Sequence, residues 1–196
     1  MSQPTSSRWR TLDIVIASIL AVAFGVVFWA WGFVWSATEA AFTFFPPAQA
    51  VIYGVWLLPA VLGGLVIRKP GAAVYCELLA ALISALLGSQ WGTVVIMQGL
   101  AQGLGAELAF LAVGYRSFRL PVATLAGALA GLAAAMFDQV RYYYAYDFAT
   151  VRLPYLVITV ISAALIAGMG GWALTRALAQ TGVLDRFPAG RDRAAV

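Results

Sequence analysis

Six apolar runs, each near the twenty or so residues that cross a bilayer core of about 30 Å, fill most of this chain and leave it little choice of fold. In lipid every backbone donor and acceptor must be satisfied inside the segment, so runs of this length predict helices. The expected architecture is an all-α membrane protein: one domain of six transmembrane helices over about 13–35, 48–67, 71–88, 92–113, 121–140 and 153–178. The third is the shortest, and Pro59 is expected to kink the second. Residues 1–11 make a polar cytoplasmic segment, 12–179 the transmembrane domain and 180–196 a polar cytoplasmic tail. The first run exceeds the roughly 7–15-residue core of a cleaved leader and no small-residue cleavage site follows it, so it is expected to stay.

Composition agrees. The chain is 63% hydrophobic and 10% charged, with a mean hydropathy of +0.89, whereas soluble domains average about 45–50% apolar and about 25% charged residues. The net charge of +4 matters less than where the charges fall. Ten of the twelve Lys and Arg residues lie on one side: Arg8, Arg10, Arg68, Lys69, Arg116, Arg119, Arg176, Arg186, Arg191 and Arg193. Only Arg141 and Arg152 lie on the other, so both termini are cytoplasmic by the positive-inside rule. The turn Gly88-Ser89-Gln90-Trp91-Gly92, the Glu39 loop and the tyrosines from Tyr142 to Tyr146 then face outward.

Several functions are disfavoured at once. The chain has no histidine, which removes the commonest general base and metal ligand. No metal cluster or activated nucleophile stands out, so no catalytic residue, metal site or cofactor is expected. Nucleic acid is excluded as a partner because no basic face exists outside short loops. The lone Cys76, in an apolar run, is expected to be a small packing residue.

The polar residues in the apolar runs are the functional candidates, because such groups are costly in a membrane unless something satisfies them. Gln98 and Gln102 lie one turn apart on one face of the fourth helix and, with Gln90 and Trp91 at its outer end, are expected to line a small-molecule site. Amides suit the mixed edges of a heteroaromatic ring; the alternative is hydrogen bonding between helices. Around the mouth stand Trp35, Glu39, Asp138, Tyr142, Tyr143 and Tyr144, with Phe44, Phe45, Tyr146 and Asp147 nearby. Aromatic faces plus outward acids suit a flat, cationic ligand, although any one Trp or Tyr also fits the interfacial belt. Asp138 either reaches inward or pairs with Arg141. Glu77 and Glu107 share a depth in the inner half, where three options stand: a structural pair, a proton relay or contacts to a partner subunit. Small residues repeat every four positions at Ala17, Ala21 and Gly25 and again at Gly127 and Gly131, a spacing that serves close packing inside the bundle or against another membrane protein.

Long blocks carry a resemblance over nearly the whole chain: WRTLDIVIASILAVAFGVVFWAWG, FFPPAQAVIYGVWLLPAVLGGLVIRKPGAA, ELLAALISALLGSQWG, QGLGAEL and TRALAQTGVLDRF. In these the sequence resembles the YkoE-type substrate-binding (S) components of energy-coupling factor (ECF) transporters. The resemblance implies a six-helix S-component bundle in the bacterial cell membrane that captures thiamin or its hydroxymethylpyrimidine precursor from the outer face. It also implies a transmembrane T component and two cytosolic ATPase subunits as partners, and assigns Ala17, Ala21 and Gly25 to contact with the T component. The chain has no phosphate-binding GxxxxGK[ST] loop, as suits a subunit whose partners hydrolyse ATP. Two rival functions are a proton-coupled secondary transporter using Glu77 and Glu107 and a non-transporting membrane scaffold.

Overall fold

The computed structural model describes residues 8–191, with the Arg191 side chain left aside; residues 1–7 and 192–196, and with them part of both expected polar ends and Arg193, lie outside the described residues. All six predicted helices form. They are α1 (Thr11–Thr38), α2 (Pro46–Ile67), α3 (Ala72–Leu86), α4 (Val94–Ala112), α5 (Leu120–Arg141) and α6 (Phe148–Gln180). A single tight turn, Glu39–Phe42, continues α1, and a short helix, Pro188–Arg191, follows α6. Five of the six are long and apolar enough to cross a membrane. The exception is α3: its 15 residues span about 22 Å at 1.5 Å per residue, short of a bilayer core of about 30 Å.

The helices differ in how enclosed they are. In α2, 78% of the apolar stretch is buried, against 22% in α1. Ile14, Ile19, Val26 and Phe33 of α1 are exposed and suit contact with lipid, whereas α2 is the central post of the bundle. It is also irregular: Pro46–Leu57 is wound as a tight 3₁₀ helix and only Leu58–Ile67 is α-helical. A long 3₁₀ run is unfavourable by itself, and neighbours sustain this one. Trp31 Nε1 donates to Ile52 O at 3.0 Å, Ser162 Oγ donates to Val51 O at 2.7 Å, and Gly54 N donates to Ser162 Oγ at 3.0 Å. Pro59 therefore does not kink a regular helix. It sits in the first turn after the change of winding, where its missing N–H costs little.

Glycine governs the closest approaches. A Cβ on Gly54 would meet Ser162 O at 2.5 Å, and one on Gly127 would meet Ala163 O at 2.5 Å. Both contacts bring neighbours onto α6 beside its π-wound stretch Ala163–Gly170. The Gly127–Gly131 stripe thus packs inside the bundle.

The same holds for the first stripe, Ala17, Ala21 and Gly25, which was expected to meet a T component. Ala17 and Ala21 are fully buried, and a Cβ on Gly25 would stand 2.5 Å from Ile83 Cβ of α3. Cys76 Sγ, also buried, reaches Ala17 O at 3.7 Å. The stripe is occupied by α3, so its smallness serves internal packing.

Inner-half carboxylates hold helix starts. Glu107 Oε2 accepts from Ala73 N at 2.9 Å and Val74 N at 3.3 Å. Its Oε1 accepts from Gly71 N at 2.7 Å and the Tyr115 hydroxyl at 2.5 Å, so one side chain satisfies the start of α3. Burial beside Glu107 raises the Tyr115 hydroxyl pKa, keeping it a donor. Glu77 does the same for the α-helical part of α2: its Oε2 accepts from Ala60 N at 2.9 Å, while Oε1 is buried without a hydrogen-bond partner among the described residues. Of the three options left open for these acids, the structural one fits, as two separate caps and not as a proton-sharing pair. At the same end Asp13 accepts from Lys69 Nζ at 2.5 Å and Arg10 at 2.9 Å, and Trp9 Nε1 donates to Pro70 O at 3.0 Å, tying α1 to the α2–α3 turn.

Candidate ligand cavity

The outer half encloses a cavity of about 260 Å³. One buried water needs only about 10–15 Å³ in this measure, so there is room for a small organic molecule. Its shape follows from the shortness of α3. The residues after α3, Ser89 and Trp91, line the cavity because the helix beneath them ends early. The Trp91 ring closes over α1 at Gly32, where an added Cβ would lie 3.4 Å from it.

At the wall shared by α2, α4, α5 and α6 sits the Asp138 carboxylate, only 3% exposed. Its Oδ2 accepts from the Tyr155 hydroxyl at 2.6 Å and the Tyr53 hydroxyl at 2.9 Å. Its Oδ1 accepts from Gln98 Nε2 at 2.8 Å. The Tyr53 hydroxyl in turn accepts from Gln98 Nε2 at 2.5 Å and Gln102 Nε2 at 3.4 Å. A buried charge survives when such donors surround it. Asp138 therefore reaches inward; Arg141, its other suggested partner, lies over the Tyr142 ring at 5.2 Å.

Aromatic rings make the other walls. Trp56 lies 5.2 Å from Trp35, 5.3 Å from Tyr53 and 5.3 Å from Trp91, mostly edge to face. Tyr143 lies 4.5 Å from Tyr155 at 35°. A backbone acceptor fixes the Trp56 indole, whose Nε1 donates to Phe28 O at 3.3 Å, and Gln49 Nε2 donates to the backbone carbonyl of Trp35 at 2.7 Å. Burial, with Asp138, Tyr146 and Glu39 adding negative potential, pushes the Tyr143 hydroxyl up to about 12. At neutral pH it remains a neutral phenol. The cavity thus presents one buried carboxylate, two amides and several π faces, a combination suited to a flat ring bearing positive charge or N–H donors.

Seven of the ten residues singled out for a ligand line this cavity: Trp35, Trp91, Gln98, Gln102, Asp138, Tyr142 and Tyr143. Three do not. Gln90 is engaged in clamping its turn to α1, its Oε1 accepting from Ser36 Oγ at 2.6 Å and its Nε2 donating to Gly32 O at 3.2 Å. Tyr144 is 73% exposed. Glu39 stands exposed on the turn after α1, near enough to act on Tyr143 but outside the wall. Sequence reasoning missed Phe28, Tyr53, Trp56, Ser84 and Tyr155. The signal for Tyr53 and Tyr155 was available: a phenol within an apolar helix needs a partner for its hydroxyl. Among the described residues no group of three or more His, Cys, Asp or Glu side chains is placed to hold a metal ion.

Comparison with known proteins gives a consistent picture. Residues 12–133 match the family described as the permease component of an ABC-type cobalt transport system. The chain is 40% identical over 184 residues to a protein of Bacillus subtilis (strain 168) described as "Putative HMP/thiamine permease protein YkoE", covering 94% of this chain and 92% of that one. A solved structure described as "Crystal structure of an S-component of ECF transporter" superposes with a TM-score of 0.90 at 38% identity, over 96% of this chain and 94% of the other.

Proposed function

The chain belongs to the YkoE-type S components of ECF transporters, multi-pass membrane proteins that bind a substrate for import and are not enzymes, and from that premise we propose that its outer cavity captures thiamin or hydroxymethylpyrimidine. The observation that carries this reading is the buried Asp138 carboxylate among aromatic rings. Thiamin offers a thiazolium cation and an aminopyrimidine; the precursor offers the pyrimidine alone. Asp138 is the counter-charge and the acceptor for an exocyclic amine. Gln98 and Gln102 read ring edges, and Trp35, Trp56, Trp91 and Tyr143 supply the faces that stack.

Capture takes place from the outside of the bacterial cell membrane, in keeping with the loop-charge bias. Release inward draws on a T component and two ATPase subunits, the partners expected of an S component. A proton-coupled alternative gains no support, because Glu107 is committed to the start of α3.

The test is isothermal titration of the detergent-purified, ligand-stripped chain with thiamin and, separately, with hydroxymethylpyrimidine. Tight binding of either, weakened at least tenfold by Gln98→Ala or Trp91→Ala (about 1.4 kcal/mol), is the expected result. Tight binding indifferent to both changes would move the site away from this cavity. Binding of neither compound would remove the vitamin assignment.

A further inference from the structure

The wall of the outer cavity carries a hydroxyl that no other described residue engages. Serine and threonine inside a helix commonly donate to the carbonyl four residues back, and this chain follows the habit. Thr124, Thr159 and Thr175 do so at 2.9, 2.7 and 2.8 Å. Ser18 instead pairs with the Tyr75 hydroxyl at 2.8 Å, and Ser162 donates to Val51 O at 2.7 Å. Ser84 is different. It is 4% exposed and lines the cavity, yet its side chain makes no hydrogen bond among the described residues. Its backbone is fixed, since Ser84 O accepts from Ser89 N at 3.1 Å. A buried hydroxyl left unpaired costs free energy, and the open space beside this one is the cavity.

Ser84 and Asp138 face that space from different flanks. Ser84 is on α3 and Asp138 on α5, and α4 packs between those helices, against both. Each residue stands in the last outer turn of its helix. A ligand whose amine or cationic part meets Asp138 therefore turns another part of itself toward Ser84.

Charge decides what that part can be. The lining contains Asp138 and no Lys or Arg. The two arginines of the outer side are occupied away from it: Arg141 lies over the Tyr142 ring at 5.2 Å, and Arg152 Nη2 donates to Gln139 Oε1 at 3.4 Å. A phosphate monoester would bring about two negative charges into a space that already holds a carboxylate and offers no cation to offset them. An alcohol, neutral and able both to donate and to accept, suits a lone hydroxyl. This step rests on the reading that the cavity takes thiamin or hydroxymethylpyrimidine, both of which carry a primary alcohol. We propose that Ser84 is a specificity-determining residue whose hydroxyl pairs with that alcohol, so that the cavity accepts the free alcohol and rejects its phosphate ester.

The experiment titrates the detergent-purified, ligand-stripped full chain with thiamin, with its analogue bearing ethyl in place of hydroxyethyl, and with its monophosphate ester. Hydroxymethylpyrimidine, its analogue bearing methyl in place of hydroxymethyl, and its phosphate ester form a second set. The set whose alcohol binds is read. The alcohol should bind about fivefold tighter than the analogue without the hydroxyl, the size expected of one neutral hydrogen bond. It should bind at least about tenfold tighter than the ester, which meets the carboxylate without a cation. In Ser84→Ala the alcohol should fall to the level of its analogue, while the analogue keeps its wild-type affinity; a merely structural role would weaken both alike. The wild-type comparison of alcohol and analogue tests the proposal whether or not the variant folds. An alcohol no tighter than its analogue, equal losses of both in Ser84→Ala, or an ester as tight as the alcohol would overturn the proposal and leave the vitamin assignment standing. Binding of neither alcohol would remove that assignment and this proposal together.

Discussion

Asp138 and Glu107 are both buried acids in one small bundle, and each gathers several donors, yet they are employed differently. Glu107 takes three of its four hydrogen bonds from backbone amides at the start of α3. Asp138 takes all its side-chain bonds from side chains, two phenols and an amide, and does so at the wall of a cavity. Backbone amides cannot move without unwinding a helix; phenols and amides can turn toward an incoming ligand. Burial alone therefore does not mark a functional acid in a membrane helix. The identity of its partners does.

The sharpest way to break this comparison is Glu107→Ala. Three amides of the α3 start and the Tyr115 hydroxyl lose their acceptor together. Hydrogen bonds to a charged group contribute about 1.5–3 kcal/mol each, so thermal unfolding in detergent should report a loss of at least about 3 kcal/mol. Asp138→Asn should do the reverse. Thiamin affinity should fall at least tenfold by titration while the unfolding midpoint moves little, and the neutral pyrimidine should lose less than thiamin does. An Asp138→Asn protein that fails to fold would show that the two acids do the same job. Tyr155→Phe removes one of three donors to Asp138 and fills the same space, so thiamin binding should weaken about threefold, within the net contribution of about 0.5–1.5 kcal/mol expected of one hydrogen bond. Tyr144→Ala is the smallest case: at 73% exposure and outside the cavity wall, it should change affinity by less than about twofold.

Much of the fold was legible because its causes are local. Length and hydropathy alone placed six helices. The winding of α2 was not legible, because its unusual hydrogen bonds come from Trp31 and Ser162, far away in sequence. The candidate site divides in the same way. Gln98, Gln102 and Asp138 stood out as polar groups in apolar helices. Tyr53 and Tyr155 did not, since interfacial aromatics are common enough to explain away a tyrosine, and only the convergence of four helices shows their hydroxyls on one carboxylate. Ala17, Ala21 and Gly25 show the limit of spacing as a signal. Small residues four apart specify that something packs closely, but not which helix it belongs to.

The central position of α2 has a consequence for the order in which the protein is made. The Tyr53 hydroxyl bonds to Asp138, 85 residues further along the chain. Ribosomes add about 5–20 residues per second, so the post of the bundle waits on the order of 4–17 seconds for this acceptor. Tyr155, the other phenol on that carboxylate, arrives 17 residues later still. A nascent chain that stops short of α6 lacks Tyr155 and one wall of the outer vessel, so the capacity to hold a ligand comes late in the synthesis of this protein.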